Sequence, residues 1–493
     1  MRTRICLFVL LLLPLAVYWQ TIFAEYGFRD DYVFLRQARE ERGKMVKSTA
    51  SVGRPLYGAL LESTYAVTGQ VERLQWMRLA SVLILTVLGL VIWRQLYGSD
   101  WNEVEAAVIG LGVVLLPSSQ FVVGSAACWP QALTLLLAMA GFSAIETEIE
   151  RGGMKRLIAL LGGCMIYTVA SLIYQSNVLF ALVPLTAVLL VRTGREPLSD
   201  FKWVGFHLAA LLTGLLLGYL LVQSLFNNGL FVASARLHFE TNPFTKLVWF
   251  FAHPLPNAVS LYALADDNFT GVVIYALALV AVVALFVFAY RRSVKLQEVL
   301  AVKRWKVCVF VLPFFAQAIS LVAAERTAGY RVIFALAGLV LVLVVYASHA
   351  LLAKWNIKPR MHYIGLGFIF LVLAALANRQ SYELLAEPQS AEWDMMKGEA
   401  LRANFGKALR IYIITPEAED RTTRRIYQDE FGSVSSISDA TAQEMFKAAV
   451  RLRFPGKLPA GSSYKLASGP VEPAGGTADL VIDMRKLKNL RAP

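Results

Sequence analysis

Two adjacent carboxylates, Asp30 and Asp31, stand directly after the first apolar run of the chain and precede Tyr32. Ionised side chains at a membrane boundary are costly because they lose hydration, so carboxylates retained there commonly serve a function. Such a carboxylate can accept a proton as a general base, and repulsion within the pair can raise the pKa of one member. The alternative is that one aspartate caps a helix predicted over residues 33–42.

Arginines near the same predicted boundary supply the complementary charge. Arg54 follows a glycine and precedes the short apolar stretch 55–67. It can pair with the carboxylates or bind a phosphate, although a snorkelling arginine is the alternative. Arg326 and Arg331 lie in a later polar stretch and are expected to contact a phosphate. The alternative there is an interfacial anchor in which Glu325 pairs with Arg326.

Polar residues in two further turns are candidates for sugar or acceptor binding, together with Tyr32. Tyr174 and Gln175 stand between two apolar runs, where a glutamine amide can hydrogen-bond a sugar. Asp267 lies in an Asp-Asp-Asn sequence that could bind a cation or sugar hydroxyls, but a helix cap is the stronger interpretation. No cluster of His, Cys, Asp or Glu has metal-ligand spacing. We therefore predict no cofactor and no tightly held metal, and leave a divalent cation open.

The elements that carry these residues are predicted to be membrane-spanning helices. Of the 493 residues, 57% are hydrophobic and only 17% are charged. A span needs about 20 apolar residues. We count about eleven such runs, at residues 5–23, 79–97, 105–123, 130–147, 157–174, 177–192, 203–225, 271–290, 307–324, 332–352 and 362–378.

Loop charge predicts the orientation of these spans. The loops near residues 151–156, 192–202, 291–306 and 354–360 are all basic, which places them and the N-terminus in the cytoplasm. The net charge of +13 is therefore attributed to basic loops that orient the spans, and no nucleic-acid partner is predicted. The first apolar run is interpreted as an uncleaved anchor, since it is too long for a signal peptide and lacks a cleavage pattern.

The composition changes near residue 379, where the apolar runs stop. We predict a transmembrane domain over 1–378, with a catalytic loop at 24–78, and a small extracytoplasmic α/β domain over 379–493. Apolar spacing in the second part predicts helices at 392–409 and 441–452, strands at 411–415 and 480–484, and a loop at 455–476.

An aspartate pair just after the first span, followed by a Gly-Arg-Pro-Leu segment at 53–56, resembles the bacterial GtrII-type glucosyltransferases. These belong to the GT-C class of polytopic membrane glycosyltransferases. The turn at 171–177 is similar to the Tyr-Gln motif of that family, and the stretch 324–331 resembles the late arginine-bearing loop of GT-C enzymes. The resemblance covers residues 1 to about 380 and implies an all-α polytopic fold.

The resemblance implies transfer of a sugar from a polyprenyl-phosphate donor, with inversion, on the periplasmic side of a bacterial inner membrane. The acceptor would be an O-antigen, another envelope glycan or a surface protein such as pilin, and membrane lipid would surround the enzyme. Asp30 or Asp31 would be the general base. Arg331, Arg326 and Arg54 would bind the donor phosphate, which is already stable as an anionic leaving group.

Three other interpretations remain open on the sequence. A transporter or flippase for lipid-linked sugars would place charges within broken helices, whereas the predicted spans contain almost none. An O-antigen polymerase or ligase would share the plan but would usually carry its large outside loop late in the chain. A structural scaffold would leave the clustered aspartates and arginines unexplained.

Overall fold

The computed structural model describes residues 2–194, 196–235, 237–264, 269–354, 359–406, 408–417, 430–456, 458–459 and 462–488. The candidate residue Asp267 lies outside the described residues. The described chain is mostly helical, with a small sheet near its C-terminal end.

The first ten α-helices run to the middle of the chain. They are α1 Arg2–Phe23, α2 Asp31–Glu40, α3 Lys44–Ala50, α4 Pro55–Thr68, α5 Gln75–Tyr97, α6 Glu103–Leu115, α7 Pro117–Gly124, α8 Trp129–Ile149, α9 Gly153–Val178 and α10 Leu182–Val191. The later helices are α11 Asp200–Asn227, α12 Pro243–Ala252, α13 Pro254–Val259, α14 Phe269–Lys295, α15 Val299–Phe310, α16 Leu312–Ala316, α17 Ala318–Val322, α18 Phe334–Lys354, α19 Pro359–Ser381, α20 Glu387–Arg402 and α21 Asp439–Arg453.

Eight helical segments within the described ranges are long and apolar enough to cross a membrane. They are Thr3–Phe23, Val71–Tyr97, Ala126–Ile149, Gly153–Val191, Asp200–Asn227, Phe269–Lys295, Phe334–Leu352 and Ile364–Arg402. Helices α6 and α7 bend by 47° at their junction and together give a ninth. These long apolar helices indicate a multi-pass membrane protein.

Helix breaks occur at two places in the predicted spans. Tyr174 has non-helical backbone angles, φ −154° and ψ 100°, and interrupts the apolar segment Gly153–Val191 between the predicted spans at 157–174 and 177–192. The residues that flank this segment meet, because Arg192 pairs with Glu150. The single helix predicted over 307–324 is wrong. That stretch is divided into α15, α16 and α17, because the chain leaves helical geometry at Gln317 and Pro313 lacks the N–H that a continuous helix requires.

Loops predicted to share one side of the membrane contact one another. At one end of the bundle, Arg192 pairs with Glu150 at 3.0 Å and Arg304 pairs with Asp200 at 2.7 Å. At the other end, the Tyr57 hydroxyl donates to the Ala127 carbonyl at 2.9 Å. The orientation of these two ends relative to the membrane stays a prediction.

The C-terminal strands form a three-stranded parallel sheet in the order β2-β1-β3, with β1 Ala408–Ile414, β2 Ser463–Gly469 and β3 Leu480–Asp483. Parallel pairing needs a crossover, which α21 provides between β1 and β2. Strand β2 falls inside the stretch 455–476 that was predicted to be a loop, so that prediction is wrong. Its Ser-Tyr-Lys-Leu-Ala-Ser-Gly sequence has too few apolar residues to reveal an edge strand.

One hydrophobic core joins this C-terminal part to residues 24–78, which we name the first interspan segment. The segment contributes Tyr32, Leu35, Met45, Leu61, Tyr65 and Leu74, and the C-terminal part contributes Trp393, Met396, Phe405, Ile411, Ile413 and Phe446. Three ion pairs reinforce the junction, Arg36–Glu444 at 3.0 Å, Glu40–Arg451 at 2.9 Å and Glu25–Lys397 at 3.1 Å. A domain boundary at 378–379 stays a prediction.

Candidate functional site

The two aspartates at the start of α2 occupy opposite environments. Asp30 holds the N-cap position, but its side chain is exposed and makes no capping hydrogen bond. Asp31 is completely buried. Its Oδ2 accepts from the backbone N–H of Phe28 at 2.7 Å, and its Oδ1 accepts from the Tyr65 hydroxyl at 2.5 Å. Neither carboxylate therefore caps the helix in the way the alternative interpretation required.

Burial raises the pKa of Asp31 from its ordinary value of 3.8 to about 6. The hydrogen bonds from Tyr65 and Phe28 and the charge of Arg78 act in the opposite direction, and the charge of Asp30 adds a smaller upward contribution. Desolvation, and not the repulsion expected within the pair, is therefore the main cause. Burial also raises the pKa of the Tyr65 phenol well above its ordinary value, so this hydroxyl remains a donor to Asp31.

A buried arginine fixes the chain that leads to the aspartates. Arg78 is completely buried, and its guanidinium donates to the carbonyls of Ile22, Ala24 and Tyr26 at 3.1, 2.5 and 3.0 Å. These carbonyls lie at the end of α1 and just beyond it, where a helix leaves its backbone acceptors unsatisfied. Arg78 thus holds the first turn after α1 in place.

The Gly-Arg-Pro sequence forms the turn between α3 and α4. Gly53 has φ +83°, which glycine adopts without strain, and Pro55 is the first residue of α4, where its missing N–H costs nothing. Arg54 between them stacks its guanidinium 4.1 Å from the centre of the Tyr174 ring. Its Nε donates to Gln175 Oε1 at 3.2 Å, and Gln175 Nε2 donates to the Gly53 carbonyl at 2.5 Å. Three of the predicted site residues, Arg54, Tyr174 and Gln175, therefore touch one another.

Arg331 lies beside this group and beside the turn that carries the aspartates. Its Nη2 is 3.6 Å from Glu430 Oε1, and the same oxygen is 3.1 Å from Nη1 of Arg29. Burial lowers the pKa of Arg331, but the nearby Glu430 carboxylate and the Tyr174 phenol outweigh it, so the pKa is raised. Arg331 therefore stays charged.

Two packed aromatic rings connect the arginines to the aspartate turn. Phe28 and Phe121 meet edge to face with centroids 5.6 Å apart. The guanidinium of Arg29 lies 5.6 Å from the first ring and that of Arg331 lies 5.7 Å from the second. Because Phe28 also donates its N–H to Asp31, these rings connect both arginines to the backbone turn that carries the aspartates.

Two predicted residues, Arg326 and Tyr32, have other surroundings. Arg326 pairs with Glu240 at 3.4 Å rather than with Glu325, on a short extended contact between Phe239 and Ala323. Tyr32 is completely buried in the core shared with the C-terminal part, where its hydroxyl accepts from the Gly27 N–H at 3.2 Å. Asp267 lies outside the described residues. The proposed phosphate and sugar contacts of these three residues stay predictions.

Four residues of the site were missed from the sequence, and the first of them, Arg29, stands directly before the aspartate pair. Tyr65 and Arg78 carry no local signal beyond a polar group close to a predicted span. Glu430 lies in the C-terminal part, which showed no recognisable motif. Phe431, its neighbour, is completely buried and packs edge to face on Tyr330 at 5.5 Å, which fixes Glu430 beside the bundle. An apolar residue within this polar stretch was the only available signal.

Within the described ranges, no three His, Cys, Asp or Glu residues are grouped so that they could hold a metal ion. The prediction about metal use stays untested. The four cysteines are free thiols, of which Cys128, Cys164 and Cys308 are buried.

The fold and this site define a multi-pass helical membrane protein in which Arg29, Arg331 and Glu430 lie together beside the aspartate turn. No family model and no curated protein matches the sequence. Among solved structures, the chain is similar to an oligosaccharyltransferase of Archaeoglobus fulgidus that was crystallised in complex with zinc and sulfate, with a TM-score of 0.42 and 11% identity. The match covers 95% of this chain and 62% of that one, so the chain spans less than two thirds of its length. Similarity at this level assigns neither a family nor an activity.

Proposed function

We propose that this protein is a membrane glycosyltransferase of the GT-C kind, which moves a sugar from a polyprenyl-phosphate donor to an extracytoplasmic acceptor with inversion. The acceptor would be an O-antigen, another envelope glycan or a surface protein. The observation that supports the proposal is that Arg29, the neighbour of the exposed Asp30, shares the Glu430 carboxylate with Arg331, while Arg54, Tyr174 and Gln175 contact one another. These residues come from five separate stretches of the chain.

Asp30 is the proposed general base because its side chain is accessible to a substrate. It would accept the proton of the acceptor hydroxyl while that oxygen attacks the anomeric carbon. The buried Asp31 touches no substrate in this mechanism. It positions Asp30, since its two hydrogen bonds hold the backbone of the turn and tie it to α4.

Arg331 is the proposed contact of the leaving group. As the new glycosidic bond forms, the bond between the anomeric carbon and the phosphate oxygen breaks, and the polyprenyl phosphate departs with the electron pair. A phosphate monoester is stable as an anion, so a fixed cation suffices and no general acid is needed. Arg54, held by Tyr174 and Gln175, is placed to contact the sugar or the phosphate from the other side.

The experiment is sugar transfer in membranes supplied with a panel of polyprenyl-phosphate hexoses and pentoses. We expect Asp30→Asn to lower the rate by at least about 100-fold, the usual size of a general base contribution. Arg331→Gln should also lower the rate strongly, because the leaving group loses its cation. Arg410→Gln is the matched control, since Arg410 pairs with Asp479 at the small sheet.

Two results would contradict the proposal. One is that the wild-type protein, correctly inserted, transfers no sugar from any such donor. The other is that Asp30→Asn transfers as fast as the wild type. Either result would favour a transporter of lipid-linked sugars, which needs no base.

A further inference from the structure

Glu430 forms a bridge between two arginines that are distant in the sequence. Its Oε1 lies 3.1 Å from Arg29 Nη1 and 3.6 Å from Arg331 Nη2. Both arginine side chains are 40% exposed, whereas the glutamate side chain is only 12% exposed. A single carboxylate oxygen therefore holds two cations that remain partly open to a ligand.

The pair of guanidinium groups has the chemistry of a phosphate site. Arginine presents planar, permanently charged donors that match the oxygens of a phosphate, and two arginines around one oxygen suit an anion with more than one charge. The rings of Phe28 and Phe121 lie against the two guanidinium groups and restrict their movement. Arg29 is also fixed through its backbone, since its N–H donates to the Ser435 hydroxyl at 2.7 Å.

We propose that Arg29 and Arg331 form one phosphate-binding site, and that the Glu430 carboxylate occupies it until a phosphate group displaces it. The identity of the ligand as a lipid phosphate rests on the proposed function. The inference adds Arg29 as a second phosphate contact and assigns Glu430 the part of an internal competitor.

The chain after Glu430 is anchored independently of its carboxylate. The Gly432 N–H donates to the Leu384 carbonyl at 2.6 Å, and the Ser435 N–H donates to the buried Glu392 carboxylate at 2.6 Å. The Glu430 side chain can therefore leave the arginines while the backbone stays in place. Displacement breaks the ion pairs with Arg29 and Arg331, which a phosphate replaces with its own.

The test measures binding of farnesyl monophosphate, which carries no sugar, to the purified full chain in detergent by calorimetry. Glu430→Gln should bind it at least about tenfold more tightly than the wild type, because the competing charge is gone, and tenfold corresponds to about 1.4 kcal/mol. Glu444→Gln is the matched control. Glu444 also forms ion pairs in the C-terminal part, with Arg36 and Lys447, and its removal should leave the affinity unchanged.

Further variants test whether Arg29 and Arg331 bind the phosphate, and provide a replacement if Glu430→Gln does not fold. Adding Arg29→Gln or Arg331→Gln to Glu430→Gln should reverse the gain in affinity. If Glu430→Gln does not yield folded protein, Glu430→Asp replaces it, and the shorter side chain should give an intermediate affinity because it cannot reach both arginines. The inference is overturned if removal of the Glu430 charge leaves the affinity equal or lower, or if Arg29→Gln has no effect.

Additional ligands distinguish a lipid phosphate from free phosphate. They also test this inference separately from the proposed glycosyltransferase function. Farnesol should bind to Glu430→Gln no more tightly than to the wild type, since farnesol has no phosphate charge. If inorganic phosphate shows the same gain as farnesyl monophosphate, the anion site is supported with free phosphate as its ligand. Phosphate binding as predicted, without sugar transfer from any donor, would sustain this site and refute the glycosyltransferase. Sugar transfer with an unchanged affinity in Glu430→Gln would refute this inference alone.

Discussion

At the scale of single residues, the two neighbouring aspartates show how one step along a chain changes the chemistry of a carboxylate. Asp30 is exposed, and Asp31 is completely buried with both oxygens hydrogen-bonded. The sequence indicates a functional pair at a membrane boundary because the residue types and their position after an apolar run are local features. It does not reveal which member is buried, since that depends on Tyr65, which approaches from another helix.

The raised pKa of Asp31 predicts a pH dependence of stability. In the unfolded chain this carboxyl loses its proton near pH 4, whereas the folded protein retains it up to about pH 6. The folded state therefore loses stability as the pH rises from 4 to 6, by about 3 kcal/mol from this group, and the loss persists above pH 6. Asp31→Asn removes this component, so its melting temperature in detergent should fall less between pH 4 and pH 7 than that of the wild type.

The amide in this variant can keep both local contacts, because its oxygen can accept from Phe28 and its N–H can donate to the Tyr65 oxygen. Asp30→Asn is the matched control and should retain most of the wild-type pH profile, since Asp30 contributes the least of the causes that shift the pKa of Asp31. Parallel pH profiles for Asp31→Asn and the wild type would show that Asp31 does not titrate as described.

At the scale of elements, the site is built where helices begin or break. Arg54 precedes α4, Tyr174 interrupts α9, and Asp30 precedes α2. Hydropathy predicts where apolar runs lie, so most spans agree with the structure within a few residues. It does not predict the breaks, because the cost of a break is offset by contacts with other segments, such as Arg54 on the Tyr174 ring.

The turn that carries Arg54 depends on close packing between α3 and α4. A Cβ on Gly58 would lie 1.9 Å from Thr49 Oγ1 and 2.8 Å from Val46 Cα, so Gly58→Ala must separate the two helices. We expect a loss of about 1–3 kcal/mol in stability, the usual cost of overpacking, with a lower rate of sugar transfer. Melting temperature and transfer rate measure the two effects.

The control for this substitution is Gly205→Ala in α11, where a Cβ would meet no atom within 4 Å. Replacement of an open helical glycine by alanine should leave stability unchanged or slightly higher. An equal melting temperature for Gly58→Ala and Gly205→Ala would show that the α3–α4 contact does not hold the turn.

At the scale of the whole molecule, the first interspan segment and the C-terminal part are one packed unit. Trp393 is completely buried and lies 5.8 Å from the Tyr32 ring, although one belongs to α20 and the other to α2. The composition change near residue 379 predicts a small C-terminal α/β domain. It could not predict this core, because the pairing of two distant amphipathic stretches leaves no local pattern in either.

Loss of Trp393 should therefore loosen a region far away in the sequence. Trp393→Ala removes a fully buried side chain, which usually costs about 3–5 kcal/mol. We expect limited trypsin digestion of the inserted protein to cut more rapidly at the basic residues of α2 and α3. Trp76→Ala is the control, since Trp76 is 58% exposed. Cleavage of this variant in α2 and α3 should be as slow as in the wild type. Equal cleavage in the two variants would argue against the shared core.

The shared core also has a consequence for how the protein is made. Ribosomes release the first interspan segment well before Trp393, Phe405, Ile411 and Phe446, which cover its apolar side chains. Until then, Tyr65 and its neighbours lack their packing partners, and the turn that carries Asp30 lacks the contact of Arg29 with Ser435. This packing is therefore completed only after the C-terminal part has been synthesised, so a chain terminated before Trp393 presents an open apolar surface that cellular proteases can recognise.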